Sequence, residues 1–370
     1  MMEQSKIKIL IYGMTDNVGG IETYLYNFAK NCDYAKFQLD FVEMSENEIV
    51  YKEEIEKIGA KIIKLNLRHG NWRNHYKKIK ELLSNNDYDY VYMNVMACSL
   101  LQPFIIAAKD KKTKLCIHSH TSALSSKYSR KAKCVHYFAK NFIKNNRVLK
   151  VACGKKAGQY MFGNKNFDIF YNGIEVEKFQ YNPIDRNEIR KEFAIKSDEK
   201  LYGNIARLAN AKNPIFLLGI FKEILKLDKD AKFILVGNGD MELQIIEKIK
   251  ELDLEERVIL TGRRDDANKF YSALDAFILP SVYEGFPVSL VEAQVNGLKC
   301  YASDTIDDES NITGNVKFIS LEKNIQEWAK TICEDTNRDV DVINKIPSKF
   351  YKGNCYKEIF LYFEEKFLNN

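Results

Sequence analysis

The chain has 370 residues and a mass of 43.0 kDa, with 45% hydrophobic residues, 29% charged residues and only 6 prolines. That length exceeds what one hydrophobic core usually fills, so two domains are expected, and the composition excludes a disordered chain. The formal net charge of +5 conceals an asymmetry: residues 111–167 hold fourteen lysines and arginines and no acid, while the remainder holds 42 bases against 51 acids.

In chain order, β-rich runs stand at 6–12 (KIKILIY), 37–42 (FQLDFV), 61–65 (KIIKL), 90–93 (YVYM), 114–117 (KLCI), 149–152 (LKVA) and 168–171 (DIFY). Between them, residues 21–29, 72–83 and 100–109 carry apolar residues at helical spacing. Strands that alternate with helices of this length predict βα units and a parallel sheet. A polar stretch at 175–200, with Pro183 and a short helix around 186–193, interrupts the pattern. It restarts at 202–205, 232–236 (KFILV), 258–260, 276–279 (AFIL) and 316–319. The expected fold class is α/β: two Rossmann-like parallel-sheet domains, 1–180 and 181–348, facing a central cleft. Residues 349–370 are expected as a helix that packs back on the first domain.

The sequence enters a strand without a charged-then-apolar leader, and no run approaches 18 apolar residues. The eight cysteines form no CxxC pair. Reduced thiols in a cytoplasmic protein are expected, and no zinc site.

In folds of this kind, ligands bind outside the carboxyl ends of the strands, so the loops after each strand carry the chemistry. The most informative is SVYEGFPVSLVEAQVNG, residues 281–297, which follows AFIL and opens a helix near Pro287. A glycine-containing loop and a helix N-terminus offer backbone N–H groups to a phosphate. Glu284 in the loop and Glu292 on the helix would repel that anion, so they suit sugar and ribose hydroxyls instead. The next is GNIARLANAKNP, residues 203–214, where Arg207 and Lys212 precede a helix start marked by Asn213 and Pro214. A guanidinium and an ammonium beside a helix entrance suit a diphosphate. After the first strand, Gly19 and Gly20 let backbone approach a ligand, though without the GxGxxG spacing of a dinucleotide site. The strand KLCI delivers His118-Ser119-His120-Thr121 to the mouth of the first domain, with no third ligand for a metal. Asp87-Tyr88-Asp89 and Asp339-Val340-Asp341 match an Asp-x-Asp metal pattern but sit in a turn and a polar segment, and both read as structural.

These residues carry a resemblance. Gly19-Gly20, the His-Ser-His after a strand, Arg207 with Lys212, LVGNGD at 235–240, LTG at 260–262, and Glu284 with Glu292 occur in the order seen in retaining GT-B glycosyltransferases. The sequence is similar to glycosyltransferase family 4, especially members that build bacterial capsule and exopolysaccharide. The likeness runs from about residue 6 to 345, with EGFPVSLVEA as its most specific block.

The resemblance implies roles for residues at matching positions. Glu284 would hold hydroxyls of the donor sugar and Glu292 the ribose. Arg207 and Lys212 would hold the diphosphate, and backbone from Gly285 through Phe286, Pro287, Val288 and Ser289 the distal phosphate. Gly237 would line the donor site, and Arg263 would lie near the base. Gly19 and Gly20 would approach the donor from the first domain, and either His120 or His118 would face its sugar. The donor would be a nucleotide sugar, with UDP the commonest nucleotide in the family. No further cofactor and no metal are implied, because the two cations balance the leaving charge.

The acid-free segment adds a location. Within 128–148, Tyr128, Ala132, Val135, Ala139 and Phe142 fall at helical spacing, with Arg130, Lys131, Lys133, Lys140 and Lys144 filling much of the remainder. A basic amphipathic helix suits an anionic membrane surface. The expectation is a peripheral enzyme on the cytosolic face of the plasma membrane, acting on a lipid-linked saccharide, with no nucleic-acid partner. The competing readings are another GT-B sugar-nucleotide enzyme, such as an epimerase, and a nucleic-acid-binding protein with a vestigial sugar site. The latter would interleave bases with stacking aromatics such as Tyr128, Tyr137, Phe138 and Phe142.

Overall fold

The computed structural model describes residues 6–44, 47–65, 72–98, 112–124, 128–143 and 148–368. Among the expected features, the helix at 100–109 and the bases Lys111, Lys127, Lys144 and Arg147 lie outside the described residues, as does the Phe142 side chain. The chain forms two compact units, residues 1–173 with 352–370, and residues 174–351.

In the first unit the strands are β1 (Ile7–Tyr12), β2 (Phe37–Glu43), β3 (Lys61–Lys64), β4 (Tyr90–Val95), β5 (Lys114–Ser119), β6 (Val148–Ala152) and β7 (Asp168–Ile169). They make one parallel sheet in the order β3-β2-β1-β4-β5-β6-β7. β1 and β4 read as near-continuous apolar runs because helices cover both faces of a parallel sheet. The strand order reverses between β1 and β4, and such a switch opens a crevice at the strands' carboxyl ends.

The helix Lys352–Leu368 belongs to this first unit. Tyr356, Ile359, Phe360 and Phe363 enter its core; Phe360 stacks on Phe28 at 4.3 Å between ring centroids. The Tyr90 hydroxyl donates to the Phe363 carbonyl at 3.0 Å. Gly173, where the chain leaves the unit, abuts the start of this helix: a Cβ there would stand 2.6 Å from Lys352 Cα.

The second unit repeats the plan. Its strands are β8 (Leu201–Ile205), β9 (Lys232–Val236), β10 (Val258–Gly262), β11 (Ala276–Leu279), β12 (Lys299–Ser303) and β13 (Val316–Ile319), parallel in the order β10-β9-β8-β11-β12-β13. Separate apolar clusters form its core, one around Phe221, Phe233 and Trp328, the other around Tyr271, Phe277 and Leu290. Here too the order reverses, between β8 and β11.

The structure moves several sequence-based boundaries. The units divide at 173/174 and 351/352 rather than at 180/181 and 348/349. Residues from Ile174 onward dock on the second unit: Ile174 N–H donates to the Phe350 carbonyl at 2.9 Å and Asn182 N–H to Ser272 Oγ at 3.1 Å. β12 was absent from the expected strands, its burial disguised by Cys300, Ala302 and Ser303. β5 runs on to Ser119, so His118 lies inside the strand rather than after it.

The basic helix spans Arg130–Ile143 and buries His136, Ala139 and Ile143; of the expected stripe Ala139 is buried and Tyr128, Ala132 and Val135 are half-buried. Tyr128 precedes it, and Tyr137 and Phe138 are 60% and 76% exposed. All eight cysteines are free thiols, and Cys134 on this helix is exposed rather than buried. No helix among the described residues is long and apolar enough to cross a membrane.

Candidate active site

In the second unit the site grows from the loops after β8 and β11. Asn204 ties these strands together, its amide donating to the Ile278 carbonyl at 2.7 Å. Past β8 the chain makes a short 3-10 turn, Asn210–Lys212, and Asn213 adopts φ 56° before Pro214 opens the helix Pro214–Leu227. Val282 N–H donates to the Ala211 carbonyl at 2.8 Å, which holds the β11 loop against this turn.

That contact brings Lys212 to Glu284. The ammonium stands 2.5 Å from Glu284 Oε1, and the Ser281 hydroxyl donates to the same oxygen at 2.6 Å. Oε2 keeps no protein partner among the described residues, so this carboxylate is oriented on one side and open on the other. Ser281 is itself held, its carbonyl accepting from the Ser303 and Thr305 hydroxyls. Arg207 is exposed in the same loop as Lys212 and makes no hydrogen bond or ion pair among the described residues. Arg263 is exposed too, 3.8 Å from Asp265.

Glu292 lies on the second turn of the helix Val288–Val295, its Oε2 accepting from the Tyr271 hydroxyl at 2.6 Å. Burial pushes this carboxyl up to about 7, against the opposing pull of Tyr271 and Lys178. The first turn of the helix holds no acidic residue, so its positive end is not neutralised from within. Gly285, Phe286 and Pro287 are buried at its entrance, with Phe286 stacked on Phe350, while Val288 and Ser289 are half-buried. Gly237 has φ +137°, and a Cβ there would fall 2.1 Å from the Ala206 carbonyl oxygen, so only glycine lets the β9 loop lie against the Arg207 loop.

The first unit forms a second cluster at its own switch point. Gly19 caps the helix Gly20–Lys30 and would press a Cβ against the Glu22 carboxylate at 2.6 Å, whereas Gly20 faces open space. Tyr92, Asn94, His118 and His120 share one face at the ends of β4 and β5. Tyr24 OH meets Tyr92 OH at 2.9 Å, and Tyr92 OH meets His118 Nδ1 at 2.6 Å. His120 Nε2 is 2.8 Å from Asn94 Oδ1, and the two imidazoles lie 4.0 Å apart between centroids.

The histidines are not equivalent. His118 is wholly buried, and His120 keeps part of its surface exposed. Burial lowers both, His120 to about 3 and His118 well below the ordinary imidazole range, so both are neutral.

Both Asp-x-Asp pairs are engaged in the structure. Asp89 accepts from the Lys8 backbone N–H at 2.8 Å, and Asp339 pairs with Lys345 at 2.5 Å. Tyr271 and Asn94 had no signal in the sequence, because Tyr271 reaches Glu292 from a neighbouring helix and Asn94 reaches His120 from the neighbouring strand; Ser281 opens the motif, but its bond to Glu284 was not foreseen.

Residues 185–335 match the family model described as Glycosyl transferases group 1. The chain is 28% identical over 341 residues to EpsF of Bacillus subtilis, a protein named as a glycosyltransferase, covering 89% of this chain and 87% of that one. It is 31% identical over 148 residues to the UDP-Gal:alpha-D-GlcNAc-diphosphoundecaprenol alpha-1,3-galactosyltransferase of Escherichia coli, covering 39% and 36% of the two chains. Among solved structures, Alr3699/HepE of Anabaena in complex with UDP superposes with a TM-score of 0.75 at 20% identity, over 98% of this chain and 100% of that one. At that identity the likeness is one of fold. Together these findings support a GT-B glycosyltransferase. The matched region contains Arg207, Lys212, Gly237, Arg263, Glu284 and Glu292.

Proposed function

We propose that this chain is a retaining, metal-independent glycosyltransferase of family 4. In this reading it moves a sugar from a UDP-sugar to a lipid-linked saccharide acceptor during the synthesis of a bacterial capsule, exopolysaccharide or other surface glycan. The observation that carries the reading is Glu284, loaded on one oxygen by Lys212 and Ser281 and open on the other, at the carboxyl ends of β8 and β11. The UDP and the lipid-linked acceptor are supported by the activity for which the Escherichia coli relative is named and by the UDP in the Anabaena complex.

In the transfer, the bond between the anomeric carbon and the diphosphate oxygen breaks, and a bond from the acceptor oxygen to that carbon forms on the same face. The acceptor proton passes to the departing phosphate. Positive charge develops on the sugar and negative charge on the leaving group, so preorganised cations aimed at the phosphate lower the barrier. Arg207 and Lys212 supply that charge, and no carboxylate nucleophile pair is required, in contrast to retaining hydrolases. Glu284 Oε2 accepts from donor-sugar hydroxyls and the Glu292 carboxylate from the ribose. Backbone N–H groups of Phe286, Val288 and Ser289 take the distal phosphate. His120, the half-exposed imidazole, faces the sugar, and His118 supports it from within. The acid-free segment holds the enzyme to the cytosolic face of an anionic membrane.

A hydrolysis screen across nucleotide sugars, run without added metal, identifies the donor. Replacing Glu284→Gln should then lower turnover about a hundredfold, the scale of removing one preorganised polar group. Undiminished activity in that variant would falsify the donor-site assignment.

A further inference from the structure

The cluster at the first unit's switch point contains a residue that nothing above has given a role. Asn94 is buried on β4 and is the register partner of His118 on β5, so its side chain lies on the face from which His120 projects two residues later. The His120 backbone N–H continues the ladder to the Val95 carbonyl at 3.1 Å, and Gly13 closes over Asn94, where a Cβ would meet its carbonyl oxygen at 2.4 Å. Both residues are therefore held by backbone, and their side chains meet at 2.8 Å, His120 Nε2 to Asn94 Oδ1. Nδ1 of His120 has no partner among the described residues.

We propose that Asn94 is a positioning residue that holds His120 as the Nε2–H tautomer, leaving a bare Nδ1 to accept a hydrogen bond from a hydroxyl group of the bound substrate. A neutral imidazole carries a single N–H, and an amide oxygen can only accept, so the proton at this contact sits on Nε2. Burial keeps the ring from taking a second proton, and the groups that face it, His118 and Tyr24, bring no charge to offset that. The consequence is selectivity by chemical class. A lone pair at Nδ1 welcomes a polyol hydroxyl and repels a phosphate or carboxylate oxygen, so this corner takes the sugar and not the nucleotide's anionic part. The inference rests on the transferase reading only for whose hydroxyl it is.

The test is nitrogen-15 imidazole NMR of the full chain near neutral pH, with the His120 resonances assigned by their loss in His120→Gln. The Nε2-protonated pattern is expected; an Nδ1-protonated or imidazolium pattern overturns the proposal. Asn94→Ala should release the tautomer preference and lower kcat/KM about tenfold, the worth of one neutral hydrogen bond. Asn94→Asp places a carboxylate at Nε2, stabilises the imidazolium and should add an acidic limb to the pH–rate profile. An unchanged profile in that variant also overturns it. The tautomer is read without turnover, so an inactive chain with the expected spectrum sinks the transferase reading alone, and an active chain with the wrong tautomer sinks this one alone.

Discussion

Glu292 and Tyr271 are 21 residues apart in sequence and 2.6 Å apart in space; the hydroxyl pulls the carboxyl's pKa down, and burial outweighs it and pushes it up to about 7. Burial raises its folded value above the ordinary 4.5, so the native state holds a proton that the unfolded chain has already released. Its contribution to stability is complete below the ordinary value and is lost as the pH climbs through about 7. If the ionised carboxylate receives the ribose, UDP should bind more tightly as the pH passes neutrality, by a step that Glu292→Gln abolishes. Calorimetric titration of both proteins below and above neutrality reads this, and parallel pH curves would contradict it. The two glutamates were legible in the sequence because the block that contains them follows a strand and opens a helix. Their supports were not: Ser281 is a common residue in a loop, Tyr271 reads as core, and Lys212 meets Glu284 across 72 residues. The Lys212 and Tyr271 contacts join loops and helices that are distant in sequence, which leaves no local spacing to read.

Among elements, the helix Arg130–Ile143 shows how amphipathicity is visible while its phase is not. Its buried face turns on His136, which takes the Cys98 N–H at Nδ1 and meets the Tyr160 hydroxyl at Nε2. A histidine reads as polar, so apolar spacing alone found Ala139 but missed His136 and centred the stripe on the half-buried Ala132 and Val135. The rotation puts Tyr137 and Phe138 outward with Arg130 and Lys131, which are exposed on the same helix. Aromatic rings beside cations suit the interfacial layer of an anionic bilayer better than solvent does. The protein should therefore sediment with anionic vesicles and not with zwitterionic ones at low salt. The pair Tyr137→Ala and Phe138→Ala should weaken this, and each base neutralised should cost about fivefold, from about 1 kcal/mol per cation. Absence of binding to anionic vesicles sinks the membrane assignment.

Across the whole molecule, the repetition of a parallel α/β sheet in two units was the most readable property of the chain. Alternating strands and helices admit few topologies once crossovers must be right-handed. The boundaries were less readable because the polar stretch at 175–200, which reads as the break between domains, packs on the second unit from Ile174 onward. The second unit is continuous, 174–351, and owns both of its apolar clusters. Expressed alone, it should unfold cooperatively in urea. Residues 1–173 alone should not, because Tyr356, Ile359, Phe360 and Phe363 come from elsewhere; a cooperative transition in that fragment would contradict the core assignment. A ribosome making this protein completes all of the second unit before it makes the helix Lys352–Leu368. Phe28, Phe37 and Tyr90, which Phe360 and Phe363 cover in the finished fold, stay bare throughout that interval. The first unit therefore finishes folding after the second, although most of its residues precede that unit in the chain, and it is the part of the nascent chain most in need of a chaperone.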